Sequence, residues 1–274
     1  MAGRFDSSLT RVQPFFEAAF QREGWLAALL SAVPRARALF GEVADRPGDM
    51  LPAFLGAHPT GKAPRACFEF GVAPDKRFLR WCACHPERLA WPPGLSYSEQ
   101  TTRSRRALLY DEPPGRDVAQ DEALRHIDAN PTTKSGWWRF EGVSQIDCVI
   151  QTEKLVITVE GKRTEPLSAA TDWYPQRSQL VRNLEAARQL AKGRAWGTLL
   201  LSEHPVLDGQ PDELAAILDA AAPQLEEAER AELQRAYLGN VTWADACDAV
   251  GIDFDALPDT TAGLKPAGSS AAEL

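Results

Sequence analysis

Residues Asp147–Arg163, DCVIQTEKLVITVEGKR, decide how this chain folds. Two runs of Val, Ile and Leu flank a short Thr-Glu-Lys turn, which predicts a β-hairpin. Charged residues stand at the open end of that hairpin. Asp147 begins the first strand, and Glu160 and Lys162 lie two apart at the end of the second. Burying an unpaired charge in an apolar strand is expensive, so these three need partners.

Strands in a hairpin lie about 5 Å apart. The turn folds Asp147, six residues before it, towards Glu160, seven after it. Side-chain alternation puts Glu160 and Lys162 on one face and Gly161 on the other. Two carboxylates so placed repel unless a cation lies between them, and hard oxygen ligands suit Mg2+ or Mn2+. The neighbouring ammonium can orient a water, lower its pKa or stabilise developing negative charge. A metal with a Lys-assisted water is suited to attack on phosphodiesters.

Working outward, residues 137–140 give a further strand-like run before the hairpin, making a three-stranded meander with 145–152 and 155–163. An amphipathic helix is expected over 116–128, ahead of the meander. A helix from about Pro175 to Lys192 follows it, with Pro in its first turn and Gly193 at its end. Residues 196–201 form a short apolar run suited to a buried central strand. The first 45 residues show helical spacing, with a second run from Pro34 to Phe40, and another helix is expected over Lys76–Leu89, interrupted near Pro86. Residues 46–75 are rich in Pro and Gly and predict loops with short elements. Everything after residue 211 is expected to be helical, ending in a disordered tail. The sum is an α/β chain with a mixed sheet, divided into a helical N-terminal region (1–110), a core (111–205), a helical C-terminal region (206–257) and a tail (258–274).

Asp147, followed thirteen residues later by Glu160-Gly161-Lys162, resembles the signature of the PD-(D/E)xK nuclease superfamily, with Ile146 at its nominal Pro. The resemblance covers residues 116–202. It implies a restriction-endonuclease-like core of helix, three-stranded meander, helix and strand, here with helical additions at both ends. It also implies a metal-dependent nuclease, with DNA the expected substrate. In that family's pattern Asp147 and Glu160 would bind Mg2+ or Mn2+, the Gly161 carbonyl could add a ligand, and Lys162 would position the attacking water. Gln179 and Arg182, three apart on one helical face, are the candidates on the helix after the meander. An additional acidic ligand falls to Glu122 on the first core helix or to Glu141. The alternatives are a nuclease-fold protein that binds nucleic acid or a partner without cutting, and a hydrolase of small phosphoesters.

The formal charge of −8 conceals a strong asymmetry. Residues 1–110 carry 15 Lys and Arg against 10 Asp and Glu, residues 111–202 carry 12 against 13, and residues 203–274 carry 3 against 15. The acidity belongs to the C-terminal quarter, so the rest of the chain can still attract a polyanion. The acidic C-terminal helices suggest a solvated surface, or a contact for a protein partner or a second copy. No run approaches 18 apolar residues, so no membrane span is expected. Five irregularly spaced cysteines argue against a disulfide framework and for a reducing cytoplasm.

Other clusters read more plainly. Cys82-x-Cys84-His85 is spaced too tightly for a structural zinc site and predicts buried thiols on a helix. Arg103, Arg105 and Arg106 suit either a solvated basic face or a phosphate-contacting patch. Trp137-Trp138 and Trp173-Tyr174 suit core packing or base stacking.

Overall fold

A computed structural model describes residues 6–33, 35–36, 65–92, 98–129, 136–207 and 211–264. Its centre is a five-stranded mixed sheet in the order β1-β2-β3-β4-β5. The strands are β1 (Arg65–Val72), β2 (Ser144–Gln151), β3 (Leu155–Gly161), β4 (Ala195–Ser202) and β5 (Tyr237–Thr242). β1 pairs antiparallel with β2 and β2 with β3, whereas β3–β4 and β4–β5 are parallel. β3 lies in the middle and every one of its residues is buried, which explains why Leu155–Val159 is apolar at every position but Thr158.

Helices cover both faces. On one side pack α1 (Gln13–Ala19), α2 (Trp25–Ala32) and α9 (Trp243–Val250), whose Phe15, Phe16, Leu29 and Trp243 meet Cys148, Ile157, Val159, Leu199 and Leu201. On the other side pack α6 (Gln179–Ala191), α7 (Pro211–Ala221) and α8 (Glu227–Ala236), burying Leu180, Leu184, Leu214, Leu218 and Leu233 with Leu200 and Tyr237. Between β1 and β2 the chain makes a helical excursion through α3 (Lys76–Cys84), α4 (Glu99–Tyr110) and α5 (Gly115–Ala129). These three helices bury an aromatic core of their own, with Phe78, Trp137, Phe140, Trp173 and Tyr174.

The hairpin, α6 and β4 form as expected. Three elements differ. Residues 137–140 lie in a turn rather than a strand. Their rings pack into the helical excursion, and Arg105 holds the backbone by donating to the Trp137 carbonyl at 2.6 Å and the Arg139 carbonyl at 3.0 Å. The third antiparallel strand is instead β1, drawn from the Pro- and Gly-rich region. β5 interrupts the helical C-terminal region because YLGNVT completes the parallel edge beside β4. At the start of the expected tail the Pro258 and Asp259 carbonyls accept from Arg11 and Arg163, while the run expected from Pro34 to Phe40 lies almost wholly outside the described residues. Cys82 is buried on α3 but Cys84 is exposed, and Cys82, Cys84, Cys148 and Cys247 are all free thiols. No helix among the described residues is long and apolar enough to cross a membrane.

The acidic helices are engaged within the chain. Glu229 of α8 accepts from Arg77 of α3 at 2.6 Å and from Arg188 of α6 at 2.9 Å. The Arg77 hydrogen bond is the main reason its carboxyl is pulled down to about 2.

Candidate active site

The hairpin's open end meets an irregularity in the sheet. β1 and β2 are in register at Phe68 opposite Cys148 and again at Phe70 opposite Ile146. Phe68 and Cys148 belong to the core under α1 and α9, whereas Phe70 and Ile146 face the α6 side. Residues two apart should share a face, so both strands break their alternation between these pairs. Glu69 and Asp147 stand at the break. Glu69 adopts a left-handed φ of 49°, a backbone strain on the order of 1 kcal/mol for a non-glycine residue. Its carboxylate accepts a hydrogen bond from the Ser8 hydroxyl, in the helical turn Ser8–Val12. The Asp147 carboxylate accepts from the Gly161 N–H at 2.8 Å across the hairpin.

Glu160 is 1% exposed and fully engaged. One carboxylate oxygen, Oε1, accepts from Gln179 Nε2 at 2.6 Å and lies 2.7 Å from Lys162 Nζ. The other, Oε2, accepts from Asn183 Nδ2 at 2.6 Å. Gln179 and Asn183 are four apart and so share a face of α6. That face is anchored by the buried Thr158 hydroxyl, which bonds the Asn183 carbonyl at 3.2 Å and the Thr198 hydroxyl at 2.8 Å. The loop before α6 is tied in by the Gln179 N–H, which donates to the Ser168 carbonyl at 2.7 Å.

Gly161 is required by close packing. A Cβ there would lie 2.2 Å from Val12 Cγ2 and 3.1 Å from Trp243 Cζ2. The backbone of Lys162 is pinned on both sides, its N–H donating to the Leu201 carbonyl and its carbonyl accepting from Trp243 Nε1, each at 2.8 Å. The ammonium is therefore delivered to Glu160 from a rigid strand end.

Burial is the main force pushing the Asp147 carboxyl well above the usual carboxylate range, and the Glu160 charge adds to it. Gly161 and Lys162 oppose the shift, while Glu69 reinforces it. Desolvated carboxylates in electrostatic contact are what a divalent cation would neutralise. Among the described residues no three His, Cys, Asp or Glu form a metal-holding group. Mg2+ commonly takes one or two carboxylates and fills its remaining positions with water and substrate phosphate, and Asp147 and Glu160 would be the two here.

The structure thus brings together Asp147, Glu160, Gly161, Lys162 and Gln179. Arg182 sits one turn along α6, with its Nε buried and unbonded. The two candidates for an additional acid are elsewhere engaged. Glu122 accepts from Trp137 Nε1 at 3.3 Å and stands 3.6 Å from His126, because its helix belongs to the excursion between β1 and β2. Glu141 is buried against Arg177, whose Nε donates to it at 2.5 Å and whose other nitrogens hold Glu185 and the Ala221 carbonyl. Two residues escaped the sequence reading. Asn183 was detectable as the i+4 neighbour of Gln179. Glu69 carried no local signal, since only the non-local β1–β2 pairing brings it to Asp147.

Compared with family models, with curated proteins and with solved structures, the chain matches none.

Proposed function

We propose that the chain is a metal-dependent phosphodiesterase acting on nucleic acid, with DNA as the first substrate to test, on a restriction-endonuclease-like arrangement of the sheet. The observation that carries this reading is the Glu160 carboxylate. It is buried, aimed by the amides of Gln179 and Asn183, bonded to Lys162, and close enough to Asp147 to raise its pKa. Of the helix, three-stranded meander, helix and strand that the resemblance implies for residues 116–202, residues 144–202 supply an antiparallel hairpin, a helix and a parallel strand.

Asp147 and Glu160 would hold Mg2+ or Mn2+, with Gly161 offering its carbonyl. When bound, the ion supplies charge neutralisation and acidifies a coordinated water. Lys162 orients the attacking water and holds a proton donor beside it. Gln179 and Asn183 fix the rotamer of Glu160, and Arg182, on the same helix, is the candidate to hold the scissile phosphate. Glu69 adds its charge beside Asp147 rather than a third ligand.

A second reading is a protein of the same fold that binds nucleic acid without cutting it. It is favoured by the Lys162–Glu160 contact at 2.7 Å, which occupies both partners. Incubation with linear, circular and single-stranded DNA and with RNA separates the two. Cleavage should require Mg2+ or Mn2+ and vanish in Asp147→Ala and Lys162→Ala. Cleavage that survives both substitutions overturns the assignment, and binding without cleavage selects the second reading.

A further inference from the structure

Beside the Glu160–Lys162 pair lies a second group of charges that the chemistry above does not use. Arg163 follows Lys162 directly. Its Nε donates to Glu203 Oε1 at 2.8 Å and its Nη1 to the Asp259 carbonyl at 2.7 Å. Arg11 comes from the Ser8–Val12 turn, the same turn whose Ser8 touches Glu69 and whose Val12 packs on Gly161. Its Nη2 donates to the same Glu203 oxygen at 2.7 Å and its Nη1 to the Pro258 carbonyl at 2.6 Å. The two guanidinium groups therefore converge on one carboxylate and on two consecutive backbone carbonyls.

Glu203 is shared between both arginines, and Asp259 stands 3.4 Å from one and 3.9 Å from the other with its side chain 87% exposed. An ion pair so open to water is weak. What holds Pro258 and Asp259 is chiefly the pair of hydrogen bonds to their carbonyls, and these are neutral acceptors. A phosphodiester offers oxygen acceptors that also carry negative charge, and guanidinium forks bind such anions more strongly than carbonyls. The strap that runs over the arginines, residues 251–264, has Asp253, Asp255 and Asp259 and no Lys or Arg. It contributes to the acid excess of the C-terminal quarter.

We propose that Arg11 and Arg163 form a phosphate-holding site beside Lys162, and that the strap at Pro258–Asp259 fills it as an internal competitor of a nucleic-acid backbone. The inference rests on the nucleic-acid reading of the neighbouring site. Binding of a strand displaces the strap, its phosphates taking the places of the two carbonyls, while Glu203 stays to orient both guanidinium groups.

The test begins with the full chain in EDTA, so that no oligonucleotide is cut. Hydrogen exchange over residues 254–264 should speed up when a fluorescein-labelled single- or double-stranded oligonucleotide binds. Unchanged or slower exchange on binding overturns the proposal, as does failure to bind at low salt. Anisotropy titrations then compare the full chain with a chain ending at Leu257 and with full-length Glu203→Gln, which retains the strap. Both should bind at least about tenfold tighter, or roughly 1.4 kcal/mol, with a steeper salt dependence. Adding Arg163→Ala to either should cancel the gain, and a gain that persists overturns the assignment of the site. Turnover of bis(4-nitrophenyl) phosphate with Mn2+ keeps the two readings apart, because it reads the chemistry without a polynucleotide backbone. Metal-dependent turnover with an unresponsive strap removes this proposal alone. A responsive strap without turnover of any diester removes the phosphodiesterase reading alone.

Discussion

Asn183 Nδ2 lies 2.6 Å from Glu160 Oε2, on the opposite carboxylate oxygen from the one that Gln179 and Lys162 reach. The carboxylate is gripped at both ends, so its orientation is set before any ligand arrives. Asn183→Ala leaves a buried oxygen without its donor, at a cost of about 1–3 kcal/mol. It should also lower metal-dependent cleavage by roughly 10- to 100-fold, as loss of an orienting partner does. Urea unfolding and cleavage rates measure the two effects, and a variant that changes neither would show that the contact is incidental.

Asp147 presents the reverse case, a group whose ionisation opposes folding. Its folded-state pKa is raised. The stability associated with it is therefore fully present below the unfolded pKa and lost as pH rises through the folded value. Asp147→Asn removes that loss while keeping an oxygen for the Gly161 N–H. At neutral pH the variant should be more stable by about 0.5–2 kcal/mol, the usual range for relieving a functional position, and inactive. The difference should shrink as pH falls towards the ordinary aspartate range. A variant less stable than the parent at pH 7 would contradict the electrostatic account.

Gly161→Ala tests packing rather than charge. The new Cβ would meet Val12 Cγ2 at 2.2 Å, and a β-branched side chain has little freedom to yield. Overpacking of this kind costs about 1–3 kcal/mol. Val12→Ala in the same chain should recover part of the loss, and the double-mutant cycle should show strong coupling. Strictly additive effects would mean that the two residues do not meet.

Arg177 is fully buried between Glu141 and Glu185. Removing it as Arg177→Leu strands two carboxylates in the interior, at a cost of about 3–5 kcal/mol. Burial already raises the Glu185 carboxyl despite the guanidinium. The variant's stability should therefore be greatest in acid, where the carboxyls are protonated, and fall as pH rises. Thermal melts at mildly acidic and mildly alkaline pH would reveal this slope. A pH-independent loss would point to lost packing around Phe78, whose ring lies 3.7 Å from the guanidinium carbon.

Much of the site was legible in the sequence because it is local. Asp147 through Lys162 lie on one hairpin, and β-branched runs with a short turn declare a hairpin without help from the rest of the chain. The helix carrying Gln179 was equally plain from its periodicity and its terminal Gly193. Tertiary pairing decided the rest. Arg65–Val72 is a strand because β2 offers it an edge more than 70 residues away in sequence, and Tyr237–Thr242 because β4 offers one at a shorter separation, Leu200 opposite Asn240. Trp137–Phe140 has strand-like composition, yet its rings are worth more buried among α3, α4 and α5 than spread along a sheet. Placing Glu122 near Asp147 and Glu160 followed from counting α5 as the helix before the meander. Once β1 precedes α5, that helix joins a separate cluster and Glu122 goes with it.

The excursion between Val72 and Ser144 also orders events in time. β2 and β3 can close across a few residues, so Asp147 and Gly161 can meet early in folding. β1 must wait for residues 73–143 to collapse before its ends come together, and closure of long loops slows folding. Glu69 is consequently the last of the acidic residues to arrive. Asp147 and Glu160 can be placed while Glu69 is still apart, and the three charges come together only when the sheet edge is complete.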